Sequence, residues 1–502
     1  MVQMLPVEYL DHDERNDAPV PIAHIGLDAI AVRRESPVDS YRPSFAIHTL
    51  GCKLNTADAQ AISFALQEQG FAEVPFDAPA DLYIVNTCTV THIADKKGRQ
   101  YLRKARQTGG ADAFVAAIGC YTAVAPEDAA MMPEVDVVLG SVDKERIVAE
   151  AVERFADRLA AVGLRDTHLH THSAHRTRRT IKIQEGCDAN CAFCIVPLAR
   201  GRSVSVAADR VCREVAESAA MGYQEVVLTG TYVGMYRESR RSAVGSRQPD
   251  VGARAPFGQD EPSSQHSIRN SHSSVLRLPD LLHCLLAGPT PPRIRLTSVG
   301  PAELKPELLA CWADERMARH LHMPIQSGSA RMLRAMRRRY NPDQFRRAVA
   351  RVRAAIPDCA ITTDVIVGFP GEADADFAET LALCRELAFS KIHAFPYSER
   401  AGTEAAGMAD QVRPDSKKER MARVLALSQE LALEYHRRFV GRTMDVLWED
   451  REPDGRWSGL TDNYLRILAT TDDDVHNRVL PTRLMHAESA YLDGAIVAEG
   501  RW

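Results

Sequence analysis

Short apolar runs alternate with helix-like segments from residue 45 onwards. The runs FAIHTL (45–50), DLYIVNT (81–87), AFVAAIG (113–119) and VDVVLGS (135–141) have the length and composition of buried strands. Each run precedes a segment with helical periodicity or a short helical piece. Strands that alternate with helices in this way are typical of a parallel sheet covered by helices. We therefore expect an N-terminal parallel α/β domain over residues 43–160.

A second series of strand–helix units follows a polar linker, rich in histidine and arginine, at 163–179. Its strand candidates are TIKIQEG (180–186), EVVLTGT (225–231), RIRLTSV (293–299), HLHMPIQ (320–326), ITTDVIVGF (361–369) and KIHAFPYS (391–398). Six such units predict an open or partial (βα)6 barrel over residues 175–415.

Other segments do not follow either series. Residues 1–42 have little periodicity and several prolines, and we describe them as an extension of uncertain order. Residues 237–274 are rich in Ser, Arg, Gly and Pro, a composition typical of a disordered surface insertion. A helical pattern at 416–439 predicts a connecting helix, and the short strands and turns of 440–502 predict a small β-barrel.

Composition limits the class of protein. The chain has 502 residues, enough for about three domains, with 45% hydrophobic and 26% charged residues, close to the average for soluble proteins. The formal net charge of −5 excludes a chain-wide basic field, so any nucleic-acid contact must come from local patches. Neither a membrane-spanning run nor a secretory signal is recognisable. We expect a cytoplasmic protein without a membrane partner, where clustered cysteines indicate metal or redox chemistry.

Three cysteines lie in a C-x3-C-x2-C pattern directly after a predicted strand. They are Cys187, Cys191 and Cys194, and Gly186 precedes them. Structural zinc usually has four ligands, often supplied as C-x2-C pairs by two loops. Three thiolates instead suit an iron–sulfur cube with one iron left open for an outside ligand. The spacing therefore favours a cluster over zinc or scattered core cysteines.

A second set consists of Cys52, Cys88 and Cys120, and each directly follows a predicted strand. The carboxyl ends of parallel strands lie at one edge of a sheet, so the three thiols would converge there. The alternative is ordinary buried cysteine at each position. Convergence suggests a second iron–sulfur cube. The other five cysteines have no partner spacing, and we interpret them as structural: Cys212, Cys284, Cys311, Cys359 and Cys384.

Seven motifs together give the chain a resemblance to a known family. They are HTLGCKLN (48–55), NTCTVT (86–91), GCY (119–121), EGCDANCAFCIVPLARGR (185–202), MPIQSGSARMLRAMRR (323–338), TTDVIVGFPGE (362–372) and FPYSERAGTEA (395–405). On these motifs the chain resembles the radical S-adenosylmethionine methylthiotransferases. The resemblance implies an N-terminal domain with an auxiliary cluster, a radical-SAM barrel, a TRAM-like C-terminal β-barrel, two 4Fe-4S clusters and S-adenosyl-L-methionine as cofactor.

The resemblance also implies roles for individual residues. The catalytic cluster would be held by Cys187, Cys191 and Cys194, and its bound S-adenosylmethionine would yield a 5′-deoxyadenosyl radical. The cluster that delivers the methylthio group would be held by Cys52, Cys88 and Cys120. Phe193 and the strand end with Gly368, Pro370 and Glu372 would lie by the adenine. Thr229 and Gly230 would contact the methionine amino group. The acidic residue usual near that position is absent, since Thr231 and Tyr232 follow.

Details of the motifs favour one branch of the family. Lys53 and the residues at 89–91 resemble the branch that acts on N6-threonylcarbamoyladenosine in tRNA. The alternatives are another tRNA adenosine, such as isopentenyladenosine, or a ribosomal-protein aspartate. An RNA-binding iron–sulfur sensor is the non-enzymatic alternative, which the GFPGE strand disfavours. We expect tRNA and an electron donor such as flavodoxin or ferredoxin as partners, and the sulfur donor is not identified.

Local charge suggests where tRNA would bind. Residues 331–353 contain nine arginines and one acid, Asp343, which predicts either a solvated helix face or a phosphate-facing patch. We choose Arg337, Arg338 and Arg339 as candidate RNA contacts. The predicted barrel at 440–502 has seven arginines and twelve acids, so it cannot rely on phosphate attraction overall.

Overall fold

A computed structural model describes residues 42–162, 177–239 and 275–497. The predicted extension at 1–42 lies outside the described residues except for its last position. Most of the linker also lies outside them, as does the predicted insertion from residue 240 to residue 274. No helix within the described ranges combines the length and hydrophobicity needed to cross a bilayer.

The N-terminal domain is a five-stranded parallel sheet between helices, in the order β2-β1-β3-β4-β5. The strands are β1 (Ser44–Thr49), β2 (Ala72–Glu73), β3 (Leu82–Thr87), β4 (Phe114–Gly119) and β5 (Val137–Gly140). The helices are α1 (Lys53–Glu68), α2 (His92–Gly109), α3 (Cys120–Val124), α4 (Pro126–Ala130), α5 (Ile147–Arg154) and α6 (Ala156–Val162). Because β1, β3 and β4 are neighbours, the loops that follow them meet at one edge.

The central domain contains six parallel strands that curve into a partial barrel. In chain order the strands are β6 (Arg178–Glu185), β7 (Val204–Ser205), β8 (Glu225–Gly230), β9 (Arg237–Ser239), β10 (Val275–Arg277), β11 (Arg293–Leu296), β12 (His320–His322), β13 (Ala360–Val367) and β14 (Lys391–Pro396). The parallel strands are β6, β8 and β11 in one half and β12, β13 and β14 in the other. A parallel bridge between Ser298 and His322 joins the halves.

Helices cover the outside of this barrel, and its main apolar core lies between strands and helices. They are α7 (Val196–Arg200), α8 (Ala208–Ala220), α9 (Leu278–Ala287), α10 (Pro306–Leu309), α11 (Ala330–Ala335), α12 (Pro342–Ala355), α13 (Asp374–Leu387) and α14 (Pro414–Arg437). Strands β9 and β10 form a separate antiparallel ribbon. The first three residues of the predicted insertion are therefore a strand, because they pair with the chain that returns from it.

The C-terminal domain is a closed five-stranded barrel in the order β15-β16-β17-β19-β18. Its strands are β15 (Thr443–Arg451), β16 (Trp457–Thr461), β17 (Arg466–Ala469), β18 (Val479–Ala487) and β19 (Leu492–Ile496). The predicted fold class, two parallel α/β domains followed by a small β-barrel, is confirmed.

Buried arginines attach the C-terminal barrel to the amino-terminal end of the central strands. Arg295 of β11 forms a fully buried ion pair with Glu225 of β8, with Nε 2.7 Å from Oε1. The same guanidinium donates to the Asp462 carbonyl at 2.9 Å, and Arg293 donates to the Leu460 carbonyl at 2.8 Å. The C-terminal barrel therefore closes the end of the central barrel that lies opposite the cysteine loop.

This ion pair gives stability a defined pH dependence. Burial alone would raise the pKa of Glu225, but the Arg295 charge outweighs burial and lowers the pKa to about 2. A depressed carboxyl pKa stabilises the folded state above the ordinary value near 4.5, and this stability is lost as pH falls toward 2. We expect Glu225→Gln to cost about 3 kcal/mol of unfolding free energy at pH 7.

Urea unfolding of both proteins between pH 7 and pH 3 measures this effect, and the difference should shrink below about pH 4.5. Glu386→Gln is a matched control, because Glu386 pairs with Arg346 where both side chains are at least 40% exposed. It should change stability by less than about 1 kcal/mol. A cost for Glu225→Gln that stays constant with pH would contradict the assigned pKa.

Candidate functional site

The C-x3-C-x2-C loop starts at the carboxyl end of β6 and turns back at Gly186. Gly186 has a φ of +71°, and a Cβ at this position would lie 1.9 Å from the Arg202 carbonyl oxygen. The amide of Cys187 donates to the Gly201 carbonyl at 3.1 Å. Only glycine fits this close contact between two chain segments. The contact fixes the start of the loop beside the carboxyl end of the following helix, α7.

The three thiols of this loop affect one another electrostatically. Burial raises the pKa of Cys194 to about 12, and the neighbouring Cys191 and Cys187 contribute to the increase. Hydrogen bonds reach two of the sulfurs, from Arg338 Nη1 to Cys191 Sγ at 3.3 Å and from the Ala189 amide to Cys187 Sγ at 3.4 Å. Buried thiolates that repel one another are stabilised by a bound cationic metal group. The site therefore has the donor chemistry of an iron–sulfur cluster.

The second set of thiols lies where β1, β3 and β4 end, and all three side chains are buried. Gly51 has a φ of +99°, and a Cβ there would lie 2.7 Å from both Cβ and Sγ of Cys88. The first two loops are therefore in direct contact. Burial raises the pKa of Cys88, and Cys120 and Cys52 raise it further. The structure brings the three thiols together, as strand order requires.

Neither thiol set has the geometry of a site for one ion. Within the described ranges, no three His, Cys, Asp or Glu side chains are close enough together to hold a single metal ion. In a four-iron cube each cysteine binds a different iron, so the sulfurs are spread around the cluster. Both sets fit such a cube in residue type and mutual repulsion, and the second set is also fully buried.

Arg200 at the end of α7 contacts the second thiol set. Its Nε donates to Cys120 Sγ at 3.2 Å, and its Nη2 donates to Asn55 Oδ1. Its Nη1 pairs with Glu185 at 2.5 Å and with Asp58 at 3.3 Å, and Arg200 is only 3% exposed. Burial alone would lower the pKa of Arg200, but the facing Cys120 and carboxylates raise it. The guanidinium therefore remains charged beside the thiols.

Helix α7 joins the two thiol sets. It begins two residues after Cys194, and Val196 in its first turn packs against Cys52 and Leu54, with Cys194 beside them. Its last residue is Arg200, which binds Cys120. Arg200 was not among the site residues predicted from the sequence. The available signal was its position in VPLARGR, immediately after the cysteine loop.

The residues predicted to lie by the adenine do not all face the same space. Phe193 packs beside Ile366 and Phe369, and it lines a cavity with Cys194, Ile366 and Tyr397. This cavity borders the cysteine loop and is mainly apolar, as a flat aromatic ring requires. Pro370 directly follows Phe369 in the chain and is also buried.

Glu372 is directed toward its own loop. Its Oε2 accepts from the Gly368 amide at 2.6 Å and pairs with Arg420 of α14 at 2.8 Å. Gly368 has a φ of +70°, and a Cβ there would lie 2.4 Å from Cγ of Lys417. These contacts hold the GFPGE turn in place. Direct contact between Glu372 and a cofactor stays a prediction.

Thr229 and Gly230 end β8 close to β6. Thr229 is buried, and a Cβ at Gly230 would lie 2.7 Å from the Gln184 carbonyl oxygen. An acidic residue does lie nearby, because Tyr232 Oη donates to Glu303 Oε2 at 2.5 Å. Glu303 comes from the loop after β11, so no local pattern around Gly230 could reveal it. Cofactor contact by Thr229 and Gly230 stays a prediction.

The three candidate RNA contacts have different surroundings. Arg337 pairs with Glu404 at 2.7 Å, and Arg339 Nη2 donates to the Asp188 carbonyl at 3.1 Å. Arg338 is partly exposed, and it binds Cys191 and Tyr340. RNA contact by all three arginines stays a prediction.

Other arginines of 331–353 are also engaged within the protein. Arg331 binds Asp376, and Arg346 binds Glu386. Part of the positive charge of this segment is therefore neutralised within the protein, and a partner would meet a smaller net charge than the sequence suggests.

Comparisons with known proteins agree with this arrangement of domains. Residues 44–140 match the Uncharacterized protein family UPF0004, and residues 181–384 match the Radical SAM superfamily. The chain is 32% identical over 465 residues to the threonylcarbamoyladenosine tRNA methylthiotransferase MtaB of Bacillus subtilis, covering 90% of this chain and 96% of that protein. It is 34% identical over 453 residues to the tRNA-2-methylthio-N(6)-dimethylallyladenosine synthase of Acidothermus cellulolyticus, covering 88% and 82%.

A solved structure with a similar chain path is the radical S-adenosylmethionine methyltransferase TsrM from Kitasatospora setae. It has a TM-score of 0.48 and 14% sequence identity, and the match covers 73% of this chain and 77% of that chain.

Proposed function

Because the chain belongs to the radical S-adenosylmethionine tRNA methylthiotransferases, we propose that it methylthiolates N6-threonylcarbamoyladenosine beside the tRNA anticodon. A 4Fe-4S cluster and S-adenosylmethionine are the cofactors of this superfamily, and tRNA is the substrate of this family. The observation that carries the proposal is the pair of three-thiol sets joined by helix α7.

We assign the two thiol sets to two 4Fe-4S clusters. Cys187, Cys191 and Cys194 would hold the cluster whose bound S-adenosylmethionine supplies the radical chemistry at a C–H bond. Cys52, Cys88 and Cys120 would hold the cluster that supplies the methylthio group. Arg338 and Arg200 each donate a hydrogen bond to one sulfur, and burial of Cys52, Cys88 and Cys120 excludes water from the second site.

Two kinds of observation support the choice of nucleoside. Two of the relatives, from Bacillus subtilis and Thermotoga maritima, are named for threonylcarbamoyladenosine, and they match over 90% of this chain. The central barrel also has a polar interior with Thr297, Ser298, His322 and Asp364, which suits a polar threonylcarbamoyl group better than an apolar dimethylallyl group. The proposal places the enzyme in the cytoplasm with its tRNA and with flavodoxin or ferredoxin as electron donor.

Mass analysis of tRNA nucleosides from cells that lack the gene tests this proposal. We expect the methylthio derivative of N6-threonylcarbamoyladenosine to disappear and its unmodified parent to accumulate. The intact gene should restore the derivative, and a gene with Cys88→Ala should not. Loss of a methylthiolated isopentenyladenosine instead would show that the enzyme belongs to the branch of the family that acts on isopentenyladenosine in tRNA. Unchanged nucleosides together with an unmodified ribosomal-protein aspartate would contradict a tRNA substrate.

A further inference from the structure

At the centre of the partial barrel lies a buried carboxylate that forms no hydrogen bond with the part of the chain that the structure describes. Asp364 is in the middle of β13, where Ile361, Val365 and Val367 face the helices and belong to the apolar core. Side chains alternate along a strand, so Asp364 shares the inner face with Ile366. Ile366 lines the cavity beside Phe193. Asp364 is therefore the next inward-facing residue of β13 before Ile366, which lines the cavity.

Among the described residues, the side chain of Asp364 pairs with a histidine and with no lysine or arginine. Its relative exposure is 0%, and within the described residues neither carboxylate oxygen has a hydrogen-bond partner. The nearest group is His322 Nε2, which lies 3.1 Å from Oδ2 without the alignment of a hydrogen bond. The Nδ1 of His322 is 2.9 Å from Thr362 Oγ1. A buried carboxylate in this state is costly unless a ligand supplies donors.

Other buried carboxylates of this chain do have cationic partners. Asp58 contacts Lys144 at 2.8 Å, Glu225 contacts Arg295 at 2.7 Å and Glu372 contacts Arg420 at 2.8 Å. The fold therefore supplies Lys or Arg where a carboxylate serves only the structure. Asp364 is different from all three.

Neighbouring strands contribute further polar groups without partners. Within the described residues, the hydroxyls of Thr231, Thr297 and Ser298 also lack hydrogen bonds, and all three side chains are fully buried. Ser298 forms a parallel bridge with His322 in the sheet, and His322 is the residue that contacts Asp364. These groups come from the carboxyl ends of β8 and β11, where ligands bind in parallel sheets.

Asp364 also lies within electrostatic range of the cysteine loop. Burial raises the pKa of Tyr340 to about 12, and Cys191 and Asp364 both contribute to the increase. The Tyr340 hydroxyl binds Arg338, which in turn binds Cys191. The carboxylate is therefore close to the layer of residues that surrounds the first thiol set.

We infer that Asp364, with His322 and Ser298, is a receptor for N–H donors of an adenosine nucleoside that enters the central barrel. The inference rests on the proposed function, because two adenosine nucleosides meet in this barrel: the cofactor and the modified base of tRNA. The amino group of S-adenosylmethionine and the N–H groups of a carbamoylated adenine offer the same chemistry to a carboxylate. A base that enters the barrel must leave its stack, which exposes its N–H edge.

Asp364→Asn tests the inference, since it keeps the shape of the side chain and removes its charge. The parent and variant holoenzymes are compared for affinity toward S-adenosylhomocysteine and toward an anticodon stem-loop RNA that carries threonylcarbamoyladenosine. A loss of about 10- to 100-fold is expected for the ligand that Asp364 binds. Loss for the RNA alone identifies the substrate as the donor, and loss for S-adenosylhomocysteine alone identifies the cofactor. Unchanged affinity for both ligands overturns the inference.

Thermal stability provides a readout that does not depend on ligands. A receptor carboxylate strains the empty protein, so Asp364→Asn should keep the melting temperature or raise it by a few degrees. Asp58→Asn is the matched control and should lower the melting temperature, because it removes a partner of Lys144 and Arg200. A lower melting temperature for Asp364→Asn with both affinities unchanged would make its role structural and overturn the inference.

Ser298→Ala provides a second variant should Asp364→Asn not fold. It removes one hydroxyl of the same pocket and should weaken the same ligand by about 3- to 10-fold. Equal affinity of Ser298→Ala and parent for both ligands would count against the receptor. The nucleoside assay of the cell extract decides the proposed function separately, because binding of S-adenosylhomocysteine does not depend on which tRNA base is methylthiolated.

Discussion

Replacing Cys187, Cys191 and Cys194 together with alanine should abolish both methylthiolation and formation of 5′-deoxyadenosine, while about half of the iron remains. Each set of three thiols suits one four-iron cube, so the reconstituted parent should hold about eight irons and this variant about four. The retained iron is expected because Cys52, Cys88 and Cys120 lie in another domain, at the edge of their own sheet. Iron analysis and chromatography of the nucleoside products measure the two effects.

The reciprocal variant lacks Cys52, Cys88 and Cys120 and should show a different pattern. It should also retain about four irons and attach no methylthio group, but it should still form 5′-deoxyadenosine. Complete loss of iron in either triple variant, or a parent that never exceeds about four irons, would contradict two independent clusters. Replacing Cys311, Cys359 and Cys384 with alanine is the control, because these thiols are buried elsewhere in the fold. That variant should keep all of the iron.

The position of both thiol sets could be predicted from sequence because local rules determine it. C-x3-C-x2-C is a short-range pattern, and Cys52, Cys88 and Cys120 each follow an apolar run that forms a strand. Parallel pairing of β1, β3 and β4 then brings the three loops to one edge without further information. The rule requires only that the strands are neighbours, which is usual for successive units of such a sheet.

Contacts between residues far apart in the sequence could not be predicted in this way. Arg200 lies 80 positions from Cys120 along the chain, and Arg338 lies 147 positions from Cys191. The charge count of residues 331–353 treated all nine arginines as available to a partner, whereas the fold uses several of them in internal ion pairs. Charge in a sequence shows the presence of arginines, and only packing shows what they bind.

Asp364 is a related case, because its strand could be predicted from the sequence but its role could not. TTDVIVGF predicts a buried strand, and a carboxylate within such a strand departs from its apolar pattern. The departure becomes informative only when the absence of a Lys or Arg partner is known. The closure of the central barrel by the C-terminal barrel could not be predicted from sequence either. It depends on Arg293 and Arg295, which donate to carbonyl groups more than 150 residues away in the chain.

Helix α7 sets the distance between the two thiol sets. Its five residues begin beside Cys194 and end at Arg200, so one short helix spans the space between the two sets. Two further cations share the same carboxylates, because Lys144 and Lys182 each bind both Asp58 and Glu185. Arg200 therefore holds the helix end, neutralises two carboxylates and donates to a sulfur at once.

Arg200→Gln should consequently have a large effect on the second thiol set alone. We expect a cost of about 1–3 kcal/mol, because Asp58, Glu185 and Asn55 lose a donor without gaining water, while Lys144 and Lys182 still bind both carboxylates. We expect a lower midpoint of urea unfolding and loss of most of the iron held by Cys52, Cys88 and Cys120. Formation of 5′-deoxyadenosine should continue, because the first thiol set keeps its own contacts.

Two further variants separate the role of the guanidinium from the role of charge. Arg200→Lys keeps the charge but cannot reach Cys120, Asn55 and the two carboxylates together, so it should recover only part of the stability. Arg202→Ala changes an exposed arginine two residues later and should leave both iron content and stability unchanged. If Arg200→Lys recovered the full stability, only the charge of Arg200 would matter. If Arg200→Gln kept its normal iron content, Arg200 would have no role at the second thiol set.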